Sequence, residues 1–231
     1  MTLTVFSQSA NDFYQLALEY ESKGMINEAI DSYTQAIRLA PSEPGLYNSR
    51  GIAYKKNKNY KAAIDDYNAA IRLDPKFVYA YNNRGIARYF NRDYKASRDD
   101  FYYTLQLNPY EPYYYFLYMI ASYKVSRSAY KEALQYLMTH KDYITAEWPY
   151  AIANFLLGRI TSRQFLDEAH DAPDKMAEAF CYMGFQKVFN RRRFWARFYF
   201  KRCVQYNQTQ LIEHELAKDA LVRRRHWIWL P

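Results

Sequence analysis

The chain has 231 residues, half of them apolar, with 26 tyrosines and 14 phenylalanines. That length admits about six helix pairs in one solenoid, or two globular domains, and a continuous core is affordable because tyrosine buries its ring while keeping its hydroxyl wet. The net charge of +8 leans weakly toward acidic partners, anionic membrane or nucleic acid, and reads first as dispersed solubilising charge. Cys181 and Cys203 have no His or Cys neighbours at metal spacing, so no metal site is expected and both read as small buried hydrophobes. No apolar run reaches membrane-spanning length, and MTLTVFSQSAND has neither the basic stretch nor the apolar core of a signal peptide. As written, the chain reads as cytoplasmic. A chain whose signal had been removed would read the same, which leaves the periplasm or envelope as the alternative.

Residues 1–9 read as a short lead. A first helical pair spans about 10–43, with Asn11 or Asp12 available to cap it and Gly24 with Asn27 marking its turn. The next two pairs, 44–77 and 78–111, nearly repeat one another: YNSRGIAY at 47–54 matches YNNRGIAR at 81–88, and KAAIDDYNAAIRLDP matches KASRDDFYYTLQLNP. Tyr47/Tyr81, Arg50/Arg84, Gly51/Gly85, Asp66/Asp100 and Pro75/Pro109 are each 34 apart, and Phe13, Tyr20, Ala29, Tyr33, Ala36 and Pro41 precede their counterparts by the same period. Apolar and small residues recur at helical spacing over 44–57 and 60–73. Gly51 and Ala63 lack bulk, so the paired helices can approach there, and Tyr47, Tyr54 and Tyr67 reach the next pair. Pro75 ends the second helix and pushes Asp74 out of helical geometry. One pair cannot bury its own apolar face, so neighbours stack and leave a concave wall. The period and the aromatic, small, aromatic, small, proline order resemble the tetratricopeptide repeat (TPR), a helix-turn-helix unit. The three copies, 10–111, are expected to move as one body.

The pattern loosens from residue 112. PYYYFLYMIASYKV has almost no polar face, and SAYKEALQYLMTH keeps a small residue at Ala133 two positions out of register, so 112–140 reads as a degenerate fourth repeat. Trp148 and Pro149 open a helix ending near Gly158, and Thr161 or Ser162 caps SRQFLDEAHD. That pair is too short for the repeat and makes 112–176 a degenerate repeat plus a non-TPR helical insert. The pattern returns at 177–210, where Phe180, Gly184, Ala196, Phe200 and Cys203 take the aromatic and small positions. A capping helix and a basic, tryptophan-rich tail occupy 208–231, with Glu213, Glu215, Lys218 and Asp219 expected on a polar outer face. The fold class is therefore all-α, a TPR superhelix.

The succession after residue 78 resembles a narrower family. NRGIA at 83–87, the pattern of Asp93, Lys95, Ala96, Asp99 and Asp100, then Pro112, Leu117 and Tyr118, Trp148, FLLGRIT at 155–161 and MGF at 183–185 are similar to the NlpI-type TPR lipoproteins of proteobacterial envelopes, over roughly 45–220. The resemblance implies a non-catalytic, dimeric adaptor that binds envelope hydrolases or docks a processing protease. The lipobox cysteine is absent, the chain is basic, and its end is tryptophan-rich.

TPR geometry places Asn11, Tyr14 and Leu18, then Asn48, Ile52, Lys55 and Lys56, then Tyr79, Asn82, Ile86, Tyr89 and Phe90 on the concave wall, continued by Tyr113, Phe116, Tyr123 and Lys124 if the fourth repeat keeps register. Asn48 and Asn82 are expected one above the other, gripping a peptide backbone, with tyrosines as rigid contacts and lysines favouring acidic groups. Of the asparagine and basic positions that grip a C-terminal carboxylate, Asn83 alone matches, and Leu18 stands where an asparagine belongs. The expected partner is another protein, with no cofactor.

The alternative is nucleic-acid or anionic-surface binding through 190–202, where Arg191, Arg192, Arg193, Arg197 and Arg202 interleave with Phe194, Trp195, Phe198 and Phe200. There the arginines read first as a solvated face over the core, so nucleic acid and membrane rank behind a protein partner. The four histidines are scattered and no nucleophile has a base, so no enzyme is expected. Asp65/Asp66 and Asp99/Asp100 recur with the period and are expected to face solvent or bond Arg50 and Arg84. The two tryptophans of the tail HWIWLP are expected to fold back or to be buried in a partner chain, as in a homodimer.

Overall fold

A computed structural model describes residues 9–144, 147–190, 192–206 and 212–222, apart from the side chain of Arg193. The described residues form thirteen α-helices and one 3-10 turn, with no strand among them. The tail HWIWLP and Arg191 lie outside the described residues. The chain divides into two compact units, residues 1–108 and 109–231.

The first unit is three antiparallel hairpins: α1 (Ala10–Ser22) with α2 (Ile26–Leu39), α3 (Pro44–Lys56) with α4 (Tyr60–Leu73), and α5 (Val78–Phe90) with α6 (Tyr94–Leu107). Ser9, not Asn11 or Asp12, caps α1, and Asp12 completes a capping box from the third helical position. Asn59 and Asp93, one period apart, cap α4 and α6 by accepting from the amides of Ala62 and Ala96. Each hairpin turn uses one left-handed residue at the same repeat position: Gly24 at φ 74°, Lys58 at 58° and Arg92 at 70°.

Two periodic devices hold the second and third hairpins closed. A Cβ on Gly51 would lie 2.6 Å from the Tyr67 ring, and one on Gly85 would lie 2.7 Å from Phe101. Both rings are buried, so the missing side chain is what lets the ring seat. Beside it, Arg50 donates from Nε and Nη2 to both oxygens of Asp66, at 2.9 and 2.7 Å, and from Nη1 to Thr34 of the preceding hairpin at 3.1 Å. Arg84 repeats the arrangement on Asp100 and reaches back to Asn68 at 2.7 Å. Each arginine therefore closes its own hairpin and staples it to the one before. Asp65 and Asp99 are exposed. The Tyr47 and Tyr81 hydroxyls donate to the carbonyls of Pro41 and Pro75, fixing the linking turns.

The second unit comprises α7 (Pro112–Val125), α8 (Arg127–His140), the 3-10 turn Lys141–Tyr143, α9 (Glu147–Leu156), α10 (Ser162–Asp167), α11 (Pro173–Phe189), α12 (Arg193–Gln205) and α13 (Ile212–Val222). Register survives into α7, where the Tyr115 hydroxyl donates to the Pro109 carbonyl as its two predecessors do. It is lost at the hairpin turn. Ser126, extended at φ −167°, both ends α7 and caps α8, so no left-handed residue intervenes and α8 starts early. Thr161 rather than Ser162 caps α10, in a capping box with Gln164. The hairpin device returns in α11 and α12, where a Cβ on Gly184 would lie 2.5 Å from Phe200. Helix α11 begins at Pro173, a turn ahead of the expected 177. Cys181 and Cys203 are free and buried, and burial pushes the Cys181 thiol well up.

Candidate functional site: a depression on the first helices

The first helices of the hairpins present their N-terminal turns side by side, and a depression of about 480 Å³ opens between α1 and α3. Asn11, Tyr14, Gly45, Asn48, Ser49 and Phe77 are among the residues that line it. Asn11 is exposed, whereas Tyr14 is half-buried and tilts its ring 5.8 Å from that of Tyr33. The apolar cluster of Ala17, Ala29, Ile30, Tyr33 and Ala53 backs it, so the ring sits on a rigid support. Pro44 opens α3 at a position where its missing N–H costs nothing, and Gly45 follows as the smallest residue available. The lining includes Glu43 but no lysine or arginine.

Of the expected wall residues, Tyr14 and Asn48 therefore share one cavity with Asn11. The hydrogen bond that Asn48 makes across to the next first helix is with Asn83. The Asn48 side-chain oxygen accepts from Asn83 at 3.0 Å, a separation of 35 residues rather than 34. Lys56 pairs with Glu21 at the same offset of 35. Both contacts between successive first helices therefore join a residue to the one after its exact repeat. The Asn82 side-chain oxygen is buried without a hydrogen-bond partner among the described residues.

Tyr79 is 64% exposed, packs edge to face with Phe77 at 6.2 Å and is not in the lining. Phe90 stacks on Tyr60 at 5.7 Å. Tyr89 is buried against Phe90 and Tyr94 and belongs to the packing. The lysines expected to attract acidic groups stand elsewhere. Lys55 is outside the lining, and the Lys56 ammonium is spent on Glu21.

In the second unit the wall is covered from within. Phe116 is buried against Tyr182 and Phe185 of α11, at 4.1 and 5.5 Å. The Tyr113 hydroxyl donates to Glu178, and that of Tyr123 to the Val188 carbonyl. These three are packing residues rather than open groove. The physical reason is α11 itself, whose AEAFCYMGF run needs an apolar face and finds it on α7.

That packing encloses two carboxyl groups that the sequence reading did not single out as a pair. Glu178 accepts from the Trp148 Nε1–H at 2.8 Å and from Tyr113 at 3.1 Å. Glu213, expected on the outer face of the capping helix, is instead buried and accepts from Tyr182 at 3.1 Å. Glu215 and Lys218 do face solvent. Burial, with the nearby Glu178 charge, pushes the Glu213 carboxyl up to about 7. Burial also raises Glu178, and the Trp148 and Tyr113 donors offset part of that. The legible signal was an acid inside the apolar run of α11. For Glu213 there was none, because a glutamate four residues before Ala217 fits either face.

Arg192, which precedes α12, and Arg197 and Arg202 within it are exposed. No group of three or more potential metal ligands occurs among the described residues.

Family models match residues 45–77 as a tetratricopeptide repeat and 17–58 as a TPR repeat. No curated protein gives a match. Among solved structures, the first TPR of Spaghetti (RPAP3), bound to the HSP90 peptide SRMEEVD, is 28% identical, over 54% of this chain and 98% of its own, with a TM-score of 0.50. The TPR domain of Arabidopsis OM64 is 26% identical, over 49% and 93%, at 0.47. The TPR2B domain of yeast Sti1, in a complex with pHsp70, is 27% identical, over 51% and 99%, at 0.48.

Proposed function

From the premise that this chain carries tetratricopeptide repeats, we propose that it is a non-catalytic adaptor that seats a peptide segment of a partner protein in the depression between α1 and α3. The observation that carries this reading is the cavity itself, lined by amides, a hydroxyl and aromatic rings on a rigid support. Such a lining reads a backbone through its amides and apolar side chains through its rings. The similar Spaghetti repeat was solved with an acidic peptide. Here the lining has Glu43 and no cation, so an internal, uncharged segment suits it better than an acidic C-terminus. An adaptor for an envelope hydrolase or protease is the narrower form of the proposal. It rests on the sequence resemblance and requires that the seated segment come from such an enzyme.

Gly45→Leu is the direct test. A Cβ at Gly45 meets only Glu43 Oε1, at 3.6 Å, so a leucine side chain fills the depression without displacing the helix. Peptides selected by the full chain from a random display library should bind the Gly45→Leu variant at least about tenfold more weakly by fluorescence anisotropy, a loss of roughly 1.4 kcal/mol. The melting temperature should hold. Undiminished binding would move the site off this wall.

A further inference from the structure

Helix α12 shows two unlike faces. Ala196, Phe200 and Cys203 are buried and face inward, and the Gly184–Phe200 approach presses the helix onto α11. On the other face Phe194 is 78% exposed, Trp195 49% and Phe198 42%. The three rings form one contiguous ridge, Phe194 to Trp195 at 5.7 Å and Trp195 to Phe198 at 6.0 Å. Arg197, Lys201 and Arg202 are exposed on the same helix, which contains no acidic residue. Exposed rings of this size cost solubility unless something covers them.

We propose that this face of α12 is a docking surface for an anionic lipid headgroup layer. The rings would enter the boundary of the acyl region, and the long basic stems would reach back to headgroup phosphates. Two features favour lipid over single-stranded nucleic acid. Base stacking needs open ring faces, but Phe194, Trp195 and Phe198 meet one another edge to face, at 83° and 80°. The Arg202 guanidinium also lies 5.5 Å from the Phe198 centroid, over its ring. Edge-packed rings suffice for an apolar phase, which requires no parallel faces. The 13-residue helix is about 20 Å long and already formed and anchored along its inner side, so docking would order no new backbone.

Flotation of the full chain with vesicles tests the proposal. Binding is expected to phosphatidylcholine vesicles in which about one third of the lipid is phosphatidylglycerol, to be weakened by salt, and to be absent with phosphatidylcholine alone. Phe194→Ser/Trp195→Ser/Phe198→Ser should lower partitioning by more than about tenfold, as should Arg197→Glu/Lys201→Glu. If the ring variant melts early, the charge variant decides. Retention of anionic-vesicle binding by the deciding variant, binding to labelled single-stranded DNA without vesicle binding, or binding to neither would overturn it.

Discussion

Asp66 and Asp100 in the first unit are buried against arginines, whereas Glu178 and Glu213 in the second are buried against tyrosine and tryptophan donors. The difference teaches what a repeat provides. Where the period holds, each buried acid arrives with a basic residue sixteen positions earlier, and the pair recurs because the repeat does. Where the period breaks, α11 packs on α7 and the acids meet whatever polar groups that contact supplies. Burial raises the Asp66 and Asp100 carboxyls, and the charge and hydrogen bonds of their arginines offset part of that. Neutral donors also lower a buried carboxyl's proton affinity only in part, and the Glu213 carboxyl retains its proton up to about 7.

The comparison breaks most sharply at the arginines. Asp66 is held by Arg50 alone among the described residues, whereas Asp100 is shared between Arg84 and Arg88. Arg50→Met should therefore cost about 3–5 kcal/mol, the penalty of stranding a buried carboxylate. Arg84→Met should cost roughly half of that, since Arg88 stays 2.8 Å from Asp100. Denaturant melts of the two variants check it, and equal losses would mean that Arg88 does not share the charge.

In the second unit the raised Glu213 carboxyl should make stability depend on pH. The folded Glu213 carboxyl binds its proton up to about 7, and the ordinary value is 4.5. Between those values the folded state holds more protons, so stability is full below about 4.5 and declines as pH rises through about 7. Glu213→Gln should remove that slope and stabilise the chain near pH 8 by roughly 3 kcal/mol. Thermal melts across pH measure it. A wild-type profile that does not fall over this range would mean that Tyr182 and its surroundings solvate the charged group fully.

The smallest effect distinguishes turns. Gly24 occupies the left-handed position at no steric cost, while Lys58 and Arg92 occupy it with a side chain. Lys58→Gly should raise stability by about 0.5 kcal/mol, the relieved strain less the added freedom of the unfolded chain. Calorimetry on wild type and variant would detect it, and a loss would show that the Lys58 side chain contributes contacts exceeding the strain.

Much of the first unit was legible because its determinants are local and periodic. Gly51, Tyr67 and Pro75 each announce themselves by recurring, and a proline or a missing Cβ acts on its own helix. The wall was legible only to within a residue. Tyr14 and Asn48 line the depression, but the hydrogen bond from Asn83 to Asn48 depends on how successive hairpins pack, which no spacing states. Tyr113, Phe116 and Tyr123 were read as wall by extending the period, and α7 does keep it. What covers them comes from more than sixty residues later.

By itself the sequence determined the helical hairpin, its period and the close approach at the recurring glycine, because each depends on residues a fixed short distance apart; it left the aspartates open between solvent and the arginines. Tertiary structure alone decided which surfaces stay open: α11 fills the α7 face, Glu213 turns inward, and the rings of α12 are left outside. Burial is a property of what comes to lie on a residue from elsewhere in the chain, and helical spacing carries no record of that neighbour.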